Sequence, residues 1–92
     1  MKPKVTTIGL GYIGLPTSAL IAQNKIHVCG VDVNPEVVKT INKGEIHIVE
    51  PDLDKAVAES VKGKFLKAYT EPQEAEVYLV VPLTLFKANN EP

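Results

Sequence analysis

With 92 residues, 45% apolar content and a net charge of −1, the chain makes one small domain at most. It has enough apolar side chain for a core and too little positive charge for a nucleic-acid surface. A single cysteine, Cys29, excludes a disulfide framework within the chain, and no apolar run is long enough to span a bilayer.

The first element is a strand over Val5 to Ile8, preceded by Lys2-Pro3-Lys4 at a solvated edge. No signal-peptide apolar region precedes it, which makes the cytoplasm the expected compartment. Ile8-Gly9-Leu10-Gly11-Tyr12-Ile13-Gly14-Leu15-Pro16 follows, with Gly9, Gly11 and Gly14 in G-x-G-x-x-G register. Each glycine has a physical task there: Gly9 for a sharp turn, Gly11 for close approach of a pyrophosphate, and Gly14 for close helix–sheet packing. A helix is expected from Tyr12 or Ile13 onward, its N-terminal N–H groups and partial positive charge suited to phosphate. Pro16 falls in the first turn, where a missing N–H costs little. Gly14, Ser18 and Ala22 form a small-residue stripe at four-residue spacing, with Ile13, Leu20 and Ile21 supplying bulk around it.

A second strand, His27 to Val31, ends at Asp32, 18 residues beyond Gly14. That is near the offset of ~20 residues expected for an acid that accepts ribose hydroxyls. A carboxylate there repels the 2′-phosphate of NADP, and no Arg lies nearby to accept it, so NAD is the expected cofactor. A solvated strand-end acid is the bland alternative for Asp32. Cys29 sits within this apolar strand, where a buried structural thiol is expected.

Asn34 has the position of an N-cap with Pro35 as first helical residue, and Val37, Val38 and Ile41 give an amphipathic helix ending near Gly44. Glu45 to Leu53 is an apolar loop. Leu53, Ala56, Val57 and Val61 are spaced as a helix face that stops at Gly63. Phe65 to Tyr69 is a third strand. Thr70 and Gln73 have capping-box spacing, which predicts a short helical turn before the next strand. Val77 to Val81 is a continuous apolar run, predicting a strand covered on both faces. His27 and His47 pair with no nucleophile or acid motif, and Glu45, Glu50, Asp52 and Asp54 lack metal-ligand spacing.

The order β-α-β-α-α-β-turn-β predicts an α/β fold: a truncated Rossmann-type, doubly wound parallel sheet with strand order 3-2-1-4. Ligands in such sheets sit outside the carboxyl ends of strands one and four. The glycine loop, Asp32 and the segment after Val81 converge there.

Three stretches carry a family resemblance: Gly9 to Pro16, Gly30-Val31-Asp32-Val33-Asn34, and Gly44 to Leu53. From Thr7 to about Lys87 the chain resembles the N-terminal part of the UDP-sugar 6-dehydrogenases, within the UDP-glucose/GDP-mannose dehydrogenase family. The third stretch is most similar to the branch acting on UDP-N-acetyl-D-mannosamine. The resemblance implies NAD-dependent oxidation of a sugar C6 alcohol to a carboxylate, in two hydride transfers, for surface polysaccharide synthesis. It implies NAD contacts at Tyr12, Ile13, Asp32 and Thr84, which with Gly9, Gly11 and Gly14 make the expected cofactor site. It also implies that the nucleophilic cysteine, catalytic lysine and most sugar contacts lie in later domains, so residues 1–92 are expected to hold no catalytic residue. A UDP-sugar is then a partner only when those domains are supplied.

Val81-Pro82-Leu83-Thr84-Leu85-Phe86 departs from the family's Val-Pro-Thr-Pro-Phe, and moving a proline predicts an altered loop path around Thr84. Two alternatives stand beside the main reading: a fragment of a UDP-glucose 6-dehydrogenase, or a non-catalytic nucleotide-binding module. A structural protein that keeps the half-fold only for packing is disfavoured by the intact glycine loop and Asp32. The unpaired apolar edge of the last strand predicts self-association, with copies of Val77 to Val81 adjacent.

Overall fold

Val5–Ile8 forms β1 because its β-branched residues suit a pleated, two-sided environment. The computed structural model describes residues 3–81. After β1 come α1 (Gly14–Gln23), β2 (Val28–Val31), α2 (Pro35–Asn42), α3 (Leu53–Lys62), β3 (Leu66–Tyr69) and β4 (Val77–Val80). All strand pairs are parallel, in the order β3-β2-β1-β4, as the sequence order required. Boundaries agree with expectation to within two residues.

Register fixes the faces. Val5 aligns with Val28, Leu66 and Val77, so these residues share one face, and Thr6, Cys29, Lys67 and Tyr78 share the other. The first face carries the core: Val5, Val28, Leu66 and Ala68 pack with Leu10 and Leu15, with Ala19 and Ala22 of α1, Ile41 of α2, and Leu53 and Val57 of α3. Both crossovers, β1 to β2 and β2 to β3, place their helices on this side, as right-handed connections in one direction must.

The stripe on α1 is buried at Gly14, Ser18 and Ala22, together with Leu15 and Ala19. Of the bulk expected beside it, only Ile21 packs against the core. Ile13 and Leu20 are exposed, and Leu10 and Leu15 fill the space, because the helix turns its small residues inward and leaves the opposite side in solvent. Helix α2 begins as expected: the Asn34 side chain accepts the Glu36 N–H at 2.9 Å and Pro35 is the first helical residue. Its last residue closes the sheet edge. The Ala68 N–H donates to Asn42 Oδ1 at 2.8 Å, and Asn42 Nδ2 donates to the Ala68 carbonyl at 3.0 Å. One side-chain amide thus takes both strand-edge groups that a further strand would use.

Two expectations on the other face are overturned. No helical turn occupies residues 70–73, which run as bends and irregular chain. Reach explains this. From Tyr69 the chain must return about 10 Å along the strands and cross three spacings of about 4.8 Å, a path of about 17 Å. By Gln73 the chain has already reached β1, two strand spacings or about 10 Å from β3; four helical steps from Tyr69 span only about 6 Å, whereas four extended steps span about 13 Å. The segment therefore crosses extended, held where Thr6 Oγ1 donates to the Gln73 carbonyl at 2.8 Å. Strand β4 is also not covered on both faces: Val77, Tyr78 and Val80 are exposed among the described residues. Only Leu79 packs on the core cluster.

Candidate functional site: a glycine loop facing an acid

The loop leaves β1 between its two neighbours. The Gly9 N–H donates to the Val31 carbonyl at 2.8 Å, and the Val81 N–H to the Ile8 carbonyl at 2.9 Å. The chain thus emerges at the carboxyl ends of β1, β2 and β4, where strand order reverses. Ligands in open α/β sheets sit at this switch point.

The three fingerprint glycines are required for different reasons. Gly9 has φ +104°, and a Cβ there would lie 2.9 Å from the Val81 carbonyl oxygen. A Cβ on Gly14 would fall on the Gly9 carbonyl oxygen, so the helix could not approach the loop. These two glycines are demanded by the fold. Gly11 is not: a Cβ there meets nothing within 4 Å, and its φ lies outside the left-handed region. The missing side chain at Gly11 leaves open space beside the backbone, the space a pyrophosphate needs.

Helix α1 starts without a side-chain cap and with no acid in its first turn. By contrast, α2 is capped by Asn34 and carries Glu36, and α3 carries Asp54. Among the described residues no protein acceptor takes the N–H of Gly11 or Ile13. Among the described residues the positive end of α1 thus carries neither a side-chain cap nor an acidic side chain, a setting suited to an anion. Tyr12 and Ile13, both more than half exposed, stand at this helix start.

Asp32 faces the loop from the end of β2. Its Oδ2 accepts the Leu10 N–H at 3.2 Å and its Oδ1 accepts the Asn34 N–H at 3.0 Å. A carboxylate offers about four acceptor positions, of which the described residues fill two. Leu10 and Asn34 do not stand out as site residues in the sequence, because their contribution is a backbone N–H. The signal that could have exposed Leu10 is Gly30, two residues before Asp32 on β2. A Cβ on Gly30 would lie 2.9 and 3.0 Å from the two Leu10 methyls, so β2 is hollowed to seat that side chain.

The structure brings Gly9, Gly11, Tyr12, Ile13, Gly14 and Asp32 to one edge of the sheet. Thr84 and the rearranged prolines around it lie outside the described residues. Cys29 is buried, and burial pushes its thiol above the ordinary value, outweighing hydrogen bonds from Gln73 and Thr6 that act the other way. It is a packing residue away from the loop. His27 stacks against Phe65, ring centroids 4.7 Å apart, with Nδ1 3.2 Å from the Lys64 carbonyl oxygen. His47 is exposed between Ile46 and Ile48, which turn toward the core. Among the described residues no group of three or more His, Cys, Asp or Glu could hold a metal ion, and no helix is long and apolar enough to cross a membrane.

Comparison with known proteins agrees with this geometry. Residues 3–92 match the NAD binding domain of the UDP-glucose/GDP-mannose dehydrogenase family. The chain is 56% identical over 88 residues to the UDP-N-acetyl-D-mannosamine dehydrogenase of Yersinia pestis, covering 96% of this chain and 21% of that protein. It is 54% identical over 87 residues to the enzyme of the same name from Campylobacter jejuni, covering 95% and 21%. Among solved structures, the UDP-N-acetyl-mannosamine dehydrogenase from Staphylococcus aureus superposes with a TM-score of 0.82 at 38% identity, over 85% of this chain and 19% of that one. The chain thus spans about a fifth of the length of the relatives it matches. On sequence, fold and the geometry of its glycine loop, the chain belongs to the UDP-glucose/GDP-mannose dehydrogenase family, within the NAD binding domain.

Proposed function

We propose that this chain holds NAD for the oxidation of UDP-N-acetyl-D-mannosamine at its C6 alcohol, as the N-terminal part of such a dehydrogenase. The branch rests on relatives of that name above 50% identity, which favours it over a UDP-glucose dehydrogenase or a non-catalytic module. When bound, NAD supplies the acceptor for hydride from the sugar carbon. The described residues bind and orient.

Gly9 and Gly14 shape the loop, and Gly11 admits the pyrophosphate. Tyr12 and Ile13 present backbone donors at the start of α1, Asp32 accepts the adenosine ribose hydroxyls, and Thr84 completes the site beyond β4. A 2′-phosphate would meet the Asp32 carboxylate, so NAD is preferred over NADP. None of these residues is assigned a catalytic step, and the sugar is held mostly by parts of the enzyme outside residues 1–92. Self-association along the outer edge of β4 belongs to the same proposal, supported by the exposure of Val77, Tyr78 and Val80. A clean monomer in sedimentation at high concentration would remove it.

The observation that carries the cofactor reading is the open space at Gly11 beside a helix start with no cap of its own. Calorimetric titration of the 92-residue chain with NAD and NADP tests it. Saturable binding of NAD with much weaker NADP binding is expected, and absence of NAD binding overturns the reading.

A further inference from the structure

The Gly30–Leu10 contact lies outside the fingerprint and links two parts of the site. Leu10 is completely buried although it sits in a surface loop between two fingerprint glycines. Its side chain fills the place where β2 lacks a Cβ. An added Cβ at Gly30 would lie 2.9 Å from Leu10 Cδ2, 3.0 Å from Cδ1 and 3.4 Å from Cγ. Turning one methyl away would leave the other contact, and a fully buried side chain has no vacant space to turn into. The same residue's N–H donates to Asp32 Oδ2.

We infer that Gly30 is a positioning residue for the cofactor site, acting through Leu10 to set the height of the glycine loop over the sheet and its distance from Asp32. The inference rests on the NAD reading given above. Its physical basis is leverage. The side chain of Leu10 is fixed in the hollow on β2, its N–H is fixed on Asp32, and the next residue is Gly11, whose backbone faces the open space. The Leu10–Asp32 bond is already at the long end of the range at 3.2 Å. An outward shift of a few tenths of an ångström therefore breaks it. Moving the loop also moves the Gly11 and Ile13 N–H groups relative to the carboxylate, so the phosphate and ribose subsites lose their mutual spacing. A site 1 Å too loose is a site that fails.

The test is a size exchange in the 92-residue chain, read by NAD titration and by hydrogen exchange of the Leu10 amide. Gly30→Ala should weaken NAD by about tenfold or more, the loss expected when a hydrogen bond to a charged group is displaced, and should speed Leu10 exchange. Leu10→Val in that background removes one methylene where Gly30→Ala adds one. The double variant should recover most of the NAD affinity and Leu10 protection. Leu10→Ala, which leaves β2 untouched, should lose both and covers the case in which Gly30→Ala does not fold.

Wild-type NAD affinity in Gly30→Ala, no rescue by the double variant, or undiminished NAD binding by Leu10→Ala overturns the positioning role and leaves the cofactor reading standing. A wild-type chain that binds no NAD overturns both.

Discussion

The Leu10 N–H reaches across 22 positions of sequence to donate to Asp32 Oδ2 at 3.2 Å. This bond ties the glycine loop to the end of β2. Asp32 is consequently both a candidate ligand-binding group and a brace for the loop opposite it. Its other oxygen holds the Asn34 N–H at the entrance to α2.

Asp32→Ala should therefore act twice. NAD affinity is expected to fall by about 1–3 kcal/mol, and the free chain should also lose stability as the Leu10 and Asn34 N–H groups lose their acceptor. Calorimetry and urea denaturation measured side by side separate the two effects. Unchanged NAD affinity would remove Asp32 from the site.

The glycines should divide cleanly. Gly11→Ala meets open space, so the free chain should keep its stability to within about 0.5 kcal/mol. Its NAD affinity should nevertheless drop by at least about 1.4 kcal/mol, a factor of ten. Gly9→Ala and Gly14→Ala place a Cβ against backbone carbonyls and should cost about 1–3 kcal/mol of folding stability or more. A Gly11→Ala chain that binds NAD normally would mean that the open space is not where the pyrophosphate lies.

Asn42→Ala removes both hydrogen bonds to Ala68 and uncovers the edge of β3. A loss of about 1–3 kcal/mol is expected, appearing as a lower urea midpoint at unchanged slope. The variant should also aggregate more readily on heating, because an uncovered strand edge invites another chain. Asn42→Asp should do no better, since a carboxylate cannot donate to the Ala68 carbonyl.

Cys29 predicts an alkaline limit. Burial raises its pKa in the folded chain, so the folded state holds the thiol proton at a pH where the unfolded chain has released it. Stability from this group is complete below the unfolded value of about 8.5 and falls as pH rises toward the raised folded value. Cys29→Ala should flatten that decline in denaturation midpoints measured from pH 8 to 10. Reaction of the native thiol with an aromatic disulfide should be slow and should accelerate in urea. Fast native reaction would contradict the burial.

The departures from expectation share a cause. Thr70 and Gln73 satisfy a local capping pattern, but between Tyr69 and Gln73 the chain passes from β3 to β1, about 10 Å in four residues, and a helical turn of about 6 Å does not span that distance. Ile13 and Leu20 are apolar and helically spaced. Which side of α1 faces the sheet is decided by where Gly14 can touch Gly9, and that contact turns both residues outward. Local pattern describes what a segment prefers in isolation, and tertiary constraints, reach across the sheet in one case and the Gly14–Gly9 contact in the other, override it.

Alternation of apolar and breaking residues, the three glycines, Asp32 and the Asn34-Pro35 cap were enough to determine the element order, the parallel sheet and the edge on which a dinucleotide would sit. They act through short-range geometry that a sequence displays directly. Tertiary structure alone decided that Leu10 seats on Gly30, that Asp32 braces the loop it faces, and that Asn42 closes the β3 edge. Each is a contact between residues far apart in the chain, made through a backbone group or a missing Cβ, and such contacts leave no periodicity to read.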